Sequence, residues 1–412
     1  MISTKYAGLG DVKCLGLSVG SATERLLCLA YIEKRLMFLC AAKMISLPER
    51  DLKLLLGRLQ YNAAGRCHLL RHRLREMRTA KIRIDGVPNE ALAILLDEAV
   101  YGDESSEVAR IVWWLHQELL ASYQDYLATT NPLADAPTSE LIETFLLRLR
   151  AAVASLRAHL DQLGVPEPER NLPPRLQKFA DAAGRIDGSK GRGEIAARER
   201  SIEPFAVPRK PGRDAGLNRV WDYLKPPMED VAEYFAYMLG IRLSEINVAE
   251  GLAVVLCETK EMPWEFYWDI SRHLWDEVRH SMMGEAAIEA TFGSTNAIPM
   301  REYESVYCME APALEQYATL GLEIEGAQMK YPIGKRGEWE FCRDGAKHPL
   351  MTTFQDFDWA DEVLHVSIAR RQLNEWFHNG GGELSALAEE GKQNRTKVKE
   401  RHPAVSISPD VA

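Results

Sequence analysis

No run of apolar residues approaches the ~18–20 needed to cross a bilayer, and the N-terminus lacks the charged-then-apolar pattern of a secretory leader. The 7 cysteines (Cys14, Cys28, Cys40, Cys67, Cys257, Cys308, Cys342) are scattered, odd in number and without a CxxC pair. That argues against a disulfide framework or a zinc ribbon and for a reduced, cytoplasmic setting. Glycine-rich phosphate loops of either common type are missing from any strand–helix context, and no Ser-His-Asp arrangement can be argued. A net charge of −10 speaks against a generic nucleic-acid partner. What remains, in 412 residues that are 46% apolar and 27% charged, is the composition of a helical globular protein without a membrane partner.

Apolar residues recur at three- and four-residue steps in four long segments of the first half, Ala22 to Met44, Glu49 to Arg78, Glu107 to Leu127 and Ser139 to Leu163. Pro48, Asn131-Pro132 and Pro137 punctuate them as turns. This spacing predicts an N-terminal helical bundle over residues 1–164. Residues 165–217 carry Pro173-Pro174, Gly184, Gly188, Gly191 and Gly193 with little periodicity, which predicts a linker with a short helix near Leu176 to Ala183. Helical periodicity and most of the tryptophans return over 218–378. Residues 379–412 read as a polar, mobile tail.

The chemistry is carried by a motif that occurs twice, Asp276-Glu277-Val-Arg-His280 and Asp361-Glu362-Val-Leu-His365. With 40 glutamates and 10 histidines, Glu-x-x-His alone is expected about once by chance, and the longer form with its leading aspartate far less often. Three residues apart on a helix, Glu and His share a face and can ligate one metal. Two such helices, with one glutamate from each of two others, make the di-metal carboxylate site of helical bundles. For the first of those glutamates the candidate is Glu250, inside the apolar run Val248 to Leu256, where a carboxylate without a partner would be costly. For the second, Glu323 and Glu325 compete, with Glu325 preferred and Glu315 a poorer third. Asp276 and Asp361, each one residue before a ligating Glu, are candidates to hold the imidazoles of His365 and His280 from behind; the alternative is that they pair with arginines at the bundle edge.

Glu250, the run Met262-Pro263-Trp264-Glu265-Phe266-Tyr267 and Asp276-Glu277-Val-Arg-His280, in that order, resemble the ferritin-like superfamily of di-iron carboxylate proteins, and within it a poorly characterised family with the same helix–Met-Pro–helix arrangement. The Asp-Glu-x-Arg-His form is also similar to the bacterial multicomponent monooxygenases. The resemblance covers about residues 230–377. It implies a four-helix bundle, two iron ions (with manganese as the alternative), dioxygen as co-substrate, and a ligand set of Glu250, Glu277, His280, Glu325, Glu362 and His365.

The first half reads as a decayed copy. Tyr31 to Cys40, with Glu33, parallels Val248 to Cys257, and Pro48 parallels Pro263. Ala63 and Arg66 then fall where Glu277 and His280 stand, so this half cannot bind the metal pair. It also carries a basic run between Arg50 and Arg83, read chiefly as a solvated helix face whose arginines pair with neighbouring acids, and otherwise as a docking face for an acidic partner, an anionic carrier or RNA.

The expectation is therefore an all-α protein of two ferritin-like four-helix bundles, the second acting as a non-haem di-iron oxygenase or oxidase. Its reaction would be hydroxylation, N-oxygenation, desaturation or oxidative cleavage of a small organic substrate. With no flavin or reductase motif, electrons come from an external donor or from the substrate, and a homodimer stays open. The rivals are a ferritin-like hydroxylase acting on tRNA and a non-catalytic metal-storage or ferroxidase-type protein.

Overall fold

The structure is a computed structural model that describes residues 5–78, 83–167, 171–198, 205–377 and 381–407. It is all-α. Among the described residues the only strands are β1 (Arg219–Val220) and β2 (Met300–Arg301), which pair in parallel. No helix there is long and apolar enough to cross a membrane, and all seven cysteines are free.

The chain forms two compact units. The first comprises residues 1–43 and 59–206, the second residues 44–58 and 207–412. The first contains most of α1 (Val19–Ser46) and α2 (Arg50–Glu76), with α3 (Glu90–Ala99), α4 (Ser105–Thr129), α5 (Ala136–Gln162) and α6 (Pro174–Ala183). The three- and four-residue apolar steps become buried stripes: Leu26, Leu29 and Leu36 on α1, Val112, Leu115 and Leu119 on α4, and Leu149, Leu156 and Leu160 on α5. The stretch expected to be a linker is divided between the units. Its α6 buries Leu176 and Phe179 and packs on α3, whereas Arg209 and Arg213 bind carboxylates of the second unit.

In the second unit α7 (Val231–Ser244) and α8 (Ile246–Glu258) follow each other with only Glu245 between them, and both pack on α9 (Trp264–Phe292). Pro263 stands at the N-cap of α9, and Gly293, with φ +76°, ends it by donating its N–H to Glu289. Gly284 is required: a Cβ there would overlap the backbone of Arg242 and Leu243, so its absence lets α7 and α9 cross closely. Then come α10 (Tyr303–Glu310), α11 (Ala313–Ala318), a π-helical turn at Thr319–Ile324, α12 (Glu325–Gln328), α13 (Lys335–Glu340) and α14 (Pro349–Trp376). His348 caps α14, its Nδ1 accepting from the Met351 N–H at 3.1 Å. α14 packs on α9 and on the π turn.

The tail is a correction. Residues Gly381–Lys399 form α15, which lies on α10, α11 and the π turn and buries Leu384, Ala388 and Val398. Four-residue apolar spacing, diluted by charged residues, is enough to seat one face of it. The residues between α14 and α15, 378–380, lie outside the described residues.

Candidate metal centre

On α9 the residues His273, Glu277 and His280 stand at relative positions −4, 0 and +3, and on α14 Asp358, Glu362 and His365 stand at the same positions. All six are buried. Those spacings put three side chains of each helix on one face. Glu245 enters from the break between α7 and α8. Glu325 is the first residue of α12, delivered by the π-helical turn before it, a device that re-aims the residues that follow it.

These eight residues make two groups. His273, Glu277, Glu325 and His365 form one; Glu245, His280, Asp358 and Glu362 form the other. In each, one ligand atom per residue lies within 4.8 Å of all the others. Glu277 stands between the groups. Its Oε1 is 3.4 Å from His365 Nδ1, 3.7 Å from His273 Nε2 and 3.7 Å from His280 Nδ1. His273 Nε2 lies 2.8 Å from Glu325 Oε1, and the rings of His273 and His365 stack with centroids 3.8 Å apart.

The donor set fits metal ions on one observation. Glu245 Oε2, His280 Nδ1, Glu325 Oε2, Glu362 Oε2 and His365 Nδ1 are buried polar atoms without a hydrogen-bond partner among the described residues. An orphaned buried acceptor costs roughly 1–3 kcal/mol, more if charged. Five of them converging from four helical segments are therefore inconsistent with a satisfied polar core, and divalent cations would complete them.

The electrostatics agree. Burial pushes the Glu245 carboxyl up to about 8 against the opposing pull of Arg242 and Lys335. It also raises Glu362, with Lys335 opposing and Glu325 and Glu277 adding to the rise. For Glu277 burial is outweighed by His280, His365 and His273, which hold it down at about 2. His365 goes the other way: burial opposes its charge, but the Asp276 hydrogen bond and the Glu325 and Glu362 carboxylates lift it to about 9. Among the described residues, five carboxylates in the two groups face only Arg242 and Lys335 as fixed cations. The two groups thus hold more carboxylate than fixed cation, an imbalance that bound metal ions would offset.

Behind the histidines, Asp276 Oδ2 lies 3.3 Å from His365 Nε2 and Asp361 Oδ2 lies 3.3 Å from His280 Nε2. The same aspartates also meet arginines. Arg272 Nε donates to Asp276 at 2.7 Å, and Arg279 donates to Asp276 at 2.5 Å and to Asp361 at 3.0 Å. Histidine contact and arginine pairing thus coexist.

Of the six residues expected as ligands, the structure brings Glu277, His280, Glu325, Glu362 and His365 together. Glu250 is not with them. It is fully buried, as its apolar surroundings required, but its partners are cations: Arg213 at 2.7 and 2.8 Å, and the Lys53 ammonium. Glu245, one and a half turns earlier, stands at the site instead. Glu323 is half-buried and pairs with Lys392 at 3.0 Å. His273 and Asp358 were missed as well. The signal that would have found them is the −4 position of the repeated motif, polar in both copies.

In the first unit Ala63 and Arg66 are buried, and Arg66 binds Glu33 through two hydrogen bonds of 2.6 and 2.8 Å, with Tyr123 donating to the same carboxylate. Elsewhere in the basic run, Arg50 meets Glu285, Lys53 meets Glu250, Arg71 meets Asp85, and Arg73 meets Glu76 and Asp135.

A cavity of about 190 Å³ opens onto Glu245, Glu277, Glu325 and Glu362, with Met238 and Ile324 in its walls. A smaller apolar one of about 30 Å³, bounded by Leu252, Val255 and Tyr317, shares Val248, Leu320 and Ile324 with it. No family model, no curated protein and no solved structure matches this chain.

Proposed function

We propose that the second unit is a ferritin-like bundle with a dinuclear iron centre that uses dioxygen to oxidise a small organic substrate. The observation that carries the reading is the set of five buried, partnerless ligand atoms in two adjoining groups. His273, Glu277, Glu325 and His365 would hold one ion, and Glu245, His280, Asp358 and Glu362 the other, with Glu277 shared. When bound, the metal pair supplies the electrons and the Lewis acidity that dioxygen chemistry requires.

The chain's own residues do the rest. Asp276 and Asp361 accept from the outward Nε2–H of His365 and His280, which turns each unprotonated Nδ1 inward and makes it a better donor. Arg272 and Arg279 pair with those aspartates and hold them in place. The larger cavity, where Arg242, Arg301 and Arg395 stand beside Met238, Ile241 and Ile324, leaves space for a small polar substrate next to Glu245 and Glu277. Electrons come from a separate donor or from the substrate. Arg50, Lys53, Arg66, Arg71 and Arg73 of the basic run are engaged by carboxylates, which does not favour the tRNA reading.

The test is metal analysis of aerobically purified protein, then anaerobic loading with ferrous iron and exposure to dioxygen. Iron approaching two per chain at saturation, with oxygen uptake above the buffer rate, is the expected result. Protein that retains no iron, manganese or zinc under either regime would rule the centre out.

A further inference from the structure

The two halves of the centre are not electrostatically alike. The group His273, Glu277, Glu325, His365 has no lysine or arginine at ion-pair distance among the described residues; its two carboxylates meet only imidazoles. The group Glu245, His280, Asp358, Glu362 is different. Lys335 reaches into it from the first residue of α13, wholly buried, with Nζ 2.9 Å from Asp358 Oδ2 and 2.9 Å from Glu362 Oε1. Arg242, also buried, pairs with Glu245 at 2.7 Å and with Asp358. Gln355 fills a further position on Asp358 Oδ2 at 2.8 Å.

A lysine ammonium is a compact point charge on a flexible stem, unlike the fixed fork of an arginine. It can leave a carboxylate by rotating its side chain. Asp358, by contrast, is kept by Arg242 and Gln355 whether or not Lys335 is present. Resting on the dinuclear reading above, we propose that Lys335 is a resident cation standing in for the second metal ion, so that the centre loads in a fixed order. The first ion enters the bis-histidine group, where two carboxylates await a divalent charge and nothing has to move. The second enters only as the Lys335 ammonium withdraws from Glu362 and Asp358, freeing those oxygens beside the already open Glu245 Oε2, His280 Nδ1 and Glu362 Oε2. Lys335 thereby acts as a positioning and gating residue, offsetting the charge of half of the centre until the other half is filled.

The experiment is an anaerobic titration of metal-free, full-length protein with Mn(II), reading free ion by its EPR signal, on the wild type and on Lys335→Met, Lys335→Gln and His273→Ala. Thermal melts show that each variant is folded. In the wild type two ions should bind in two steps at least tenfold apart. Lys335→Met, or Lys335→Gln should the methionine variant fail to fold, should tighten the second step tenfold or more and leave the first unchanged. His273→Ala should weaken the first. Two equal steps in the wild type, or a second step that stays the same or weakens without the lysine charge, would overturn the gating role while leaving the dinuclear centre standing. No uptake by wild type or variants would instead remove the centre itself, and the proposal with it.

Discussion

Asp276 on α9 and His365 on α14 face each other across the second unit at 3.3 Å, and Asp361 and His280 repeat the contact in the opposite sense at the same distance. Each aspartate precedes the glutamate of its own motif and serves the histidine of the other, so the two copies are interlocked. Asp276→Ala or Asp361→Ala should therefore lower metal retention by roughly 10–100-fold while the helices remain folded, since such supporting partners typically matter by that factor. Chelator competition against a bound metal measures it. Unchanged retention in both variants would leave the aspartates as partners of Arg272 and Arg279 alone.

The −4 positions give an independent expectation. His273 and Asp358 occupy equivalent places one turn before Glu277 and Glu362, yet one is an imidazole and the other a carboxylate held by Arg242 and Lys335. His273→Ala should reduce metal content with little change in melting temperature. Asp358→Ala takes from the buried Arg242 and Lys335 the carboxylate they share, leaving them Glu245 and Glu362; breaking a buried pair costs up to about 3–5 kcal/mol, so it should chiefly lower stability. Melting curves and metal analysis on the same samples separate the two effects.

How far the sequence carried the site is visible in Glu250 and Glu245. A carboxylate in an apolar helix needs a partner, and Glu250 is fully buried and charge-paired. Its partners, Lys53 and Arg213, lie 197 and 37 positions away, and no local pattern announces a pairing of that range. Glu245 was hidden because it sits at a break between two helices, outside any periodic stripe. Glu277, His280, Glu362 and His365 were legible because their spacing is a property of one helix. The long helices were legible for the same reason, whereas α15 was masked by its charge and the π-helical turn before Glu325 has no simple sequence signature.

The exchange of roles between those two glutamates predicts opposite phenotypes. Glu250→Ala leaves Lys53 and Arg213 facing an emptied buried space and should cost about 3–5 kcal/mol, seen as a lower denaturation midpoint, with metal content retained in the folded fraction. Glu245→Ala relieves a carboxyl that burial already disfavours, so stability should hold or rise while metal content falls. The reverse pattern would restore Glu250 as the ligand.

The first unit carries its own pH signature. His116 is fully buried, with Nδ1 2.7 Å from the Val112 carbonyl oxygen and Nε2 without a hydrogen-bond partner among the described residues. Burial, with the Arg66 charge adding to it, pushes its imidazole down to about 3. The unfolded chain then binds a proton between about pH 6.5 and 3 that the folded chain refuses, so stability is complete above that window and is lost as pH falls through it, at about 1.4 kcal/mol per unit at most. Denaturant titrations at pH 7 and 5 should show this loss in the wild type and less of it in His116→Phe. An equal slope in both would mean that other groups govern the acid limb.

The last expectation concerns residues 44–58, which lie in the first half of the sequence but belong to the second compact unit. Lys53 donates there to Glu250 and to the carbonyls of Ile45 and Gly212, both at 3.1 Å. Arg50 meets Glu285 at 2.9 Å and Ser281, the residue after His280, at 3.2 Å. Gly57 lies against the side chain of Val278, on the same helix as the ligands, with no room for a Cβ. A fragment of residues 207–412 would keep every proposed ligand but lose all of these contacts, leaving Glu250 with Arg213 alone and one side of α9 uncovered. It should aggregate or melt well below the full chain. Lys53→Met in the full chain should show the smaller part of the same loss, a lowered midpoint with metal content intact. A 207–412 fragment as stable as the full chain, and with the same metal affinity, would show that residues 44–58 lie on the second unit without supporting it.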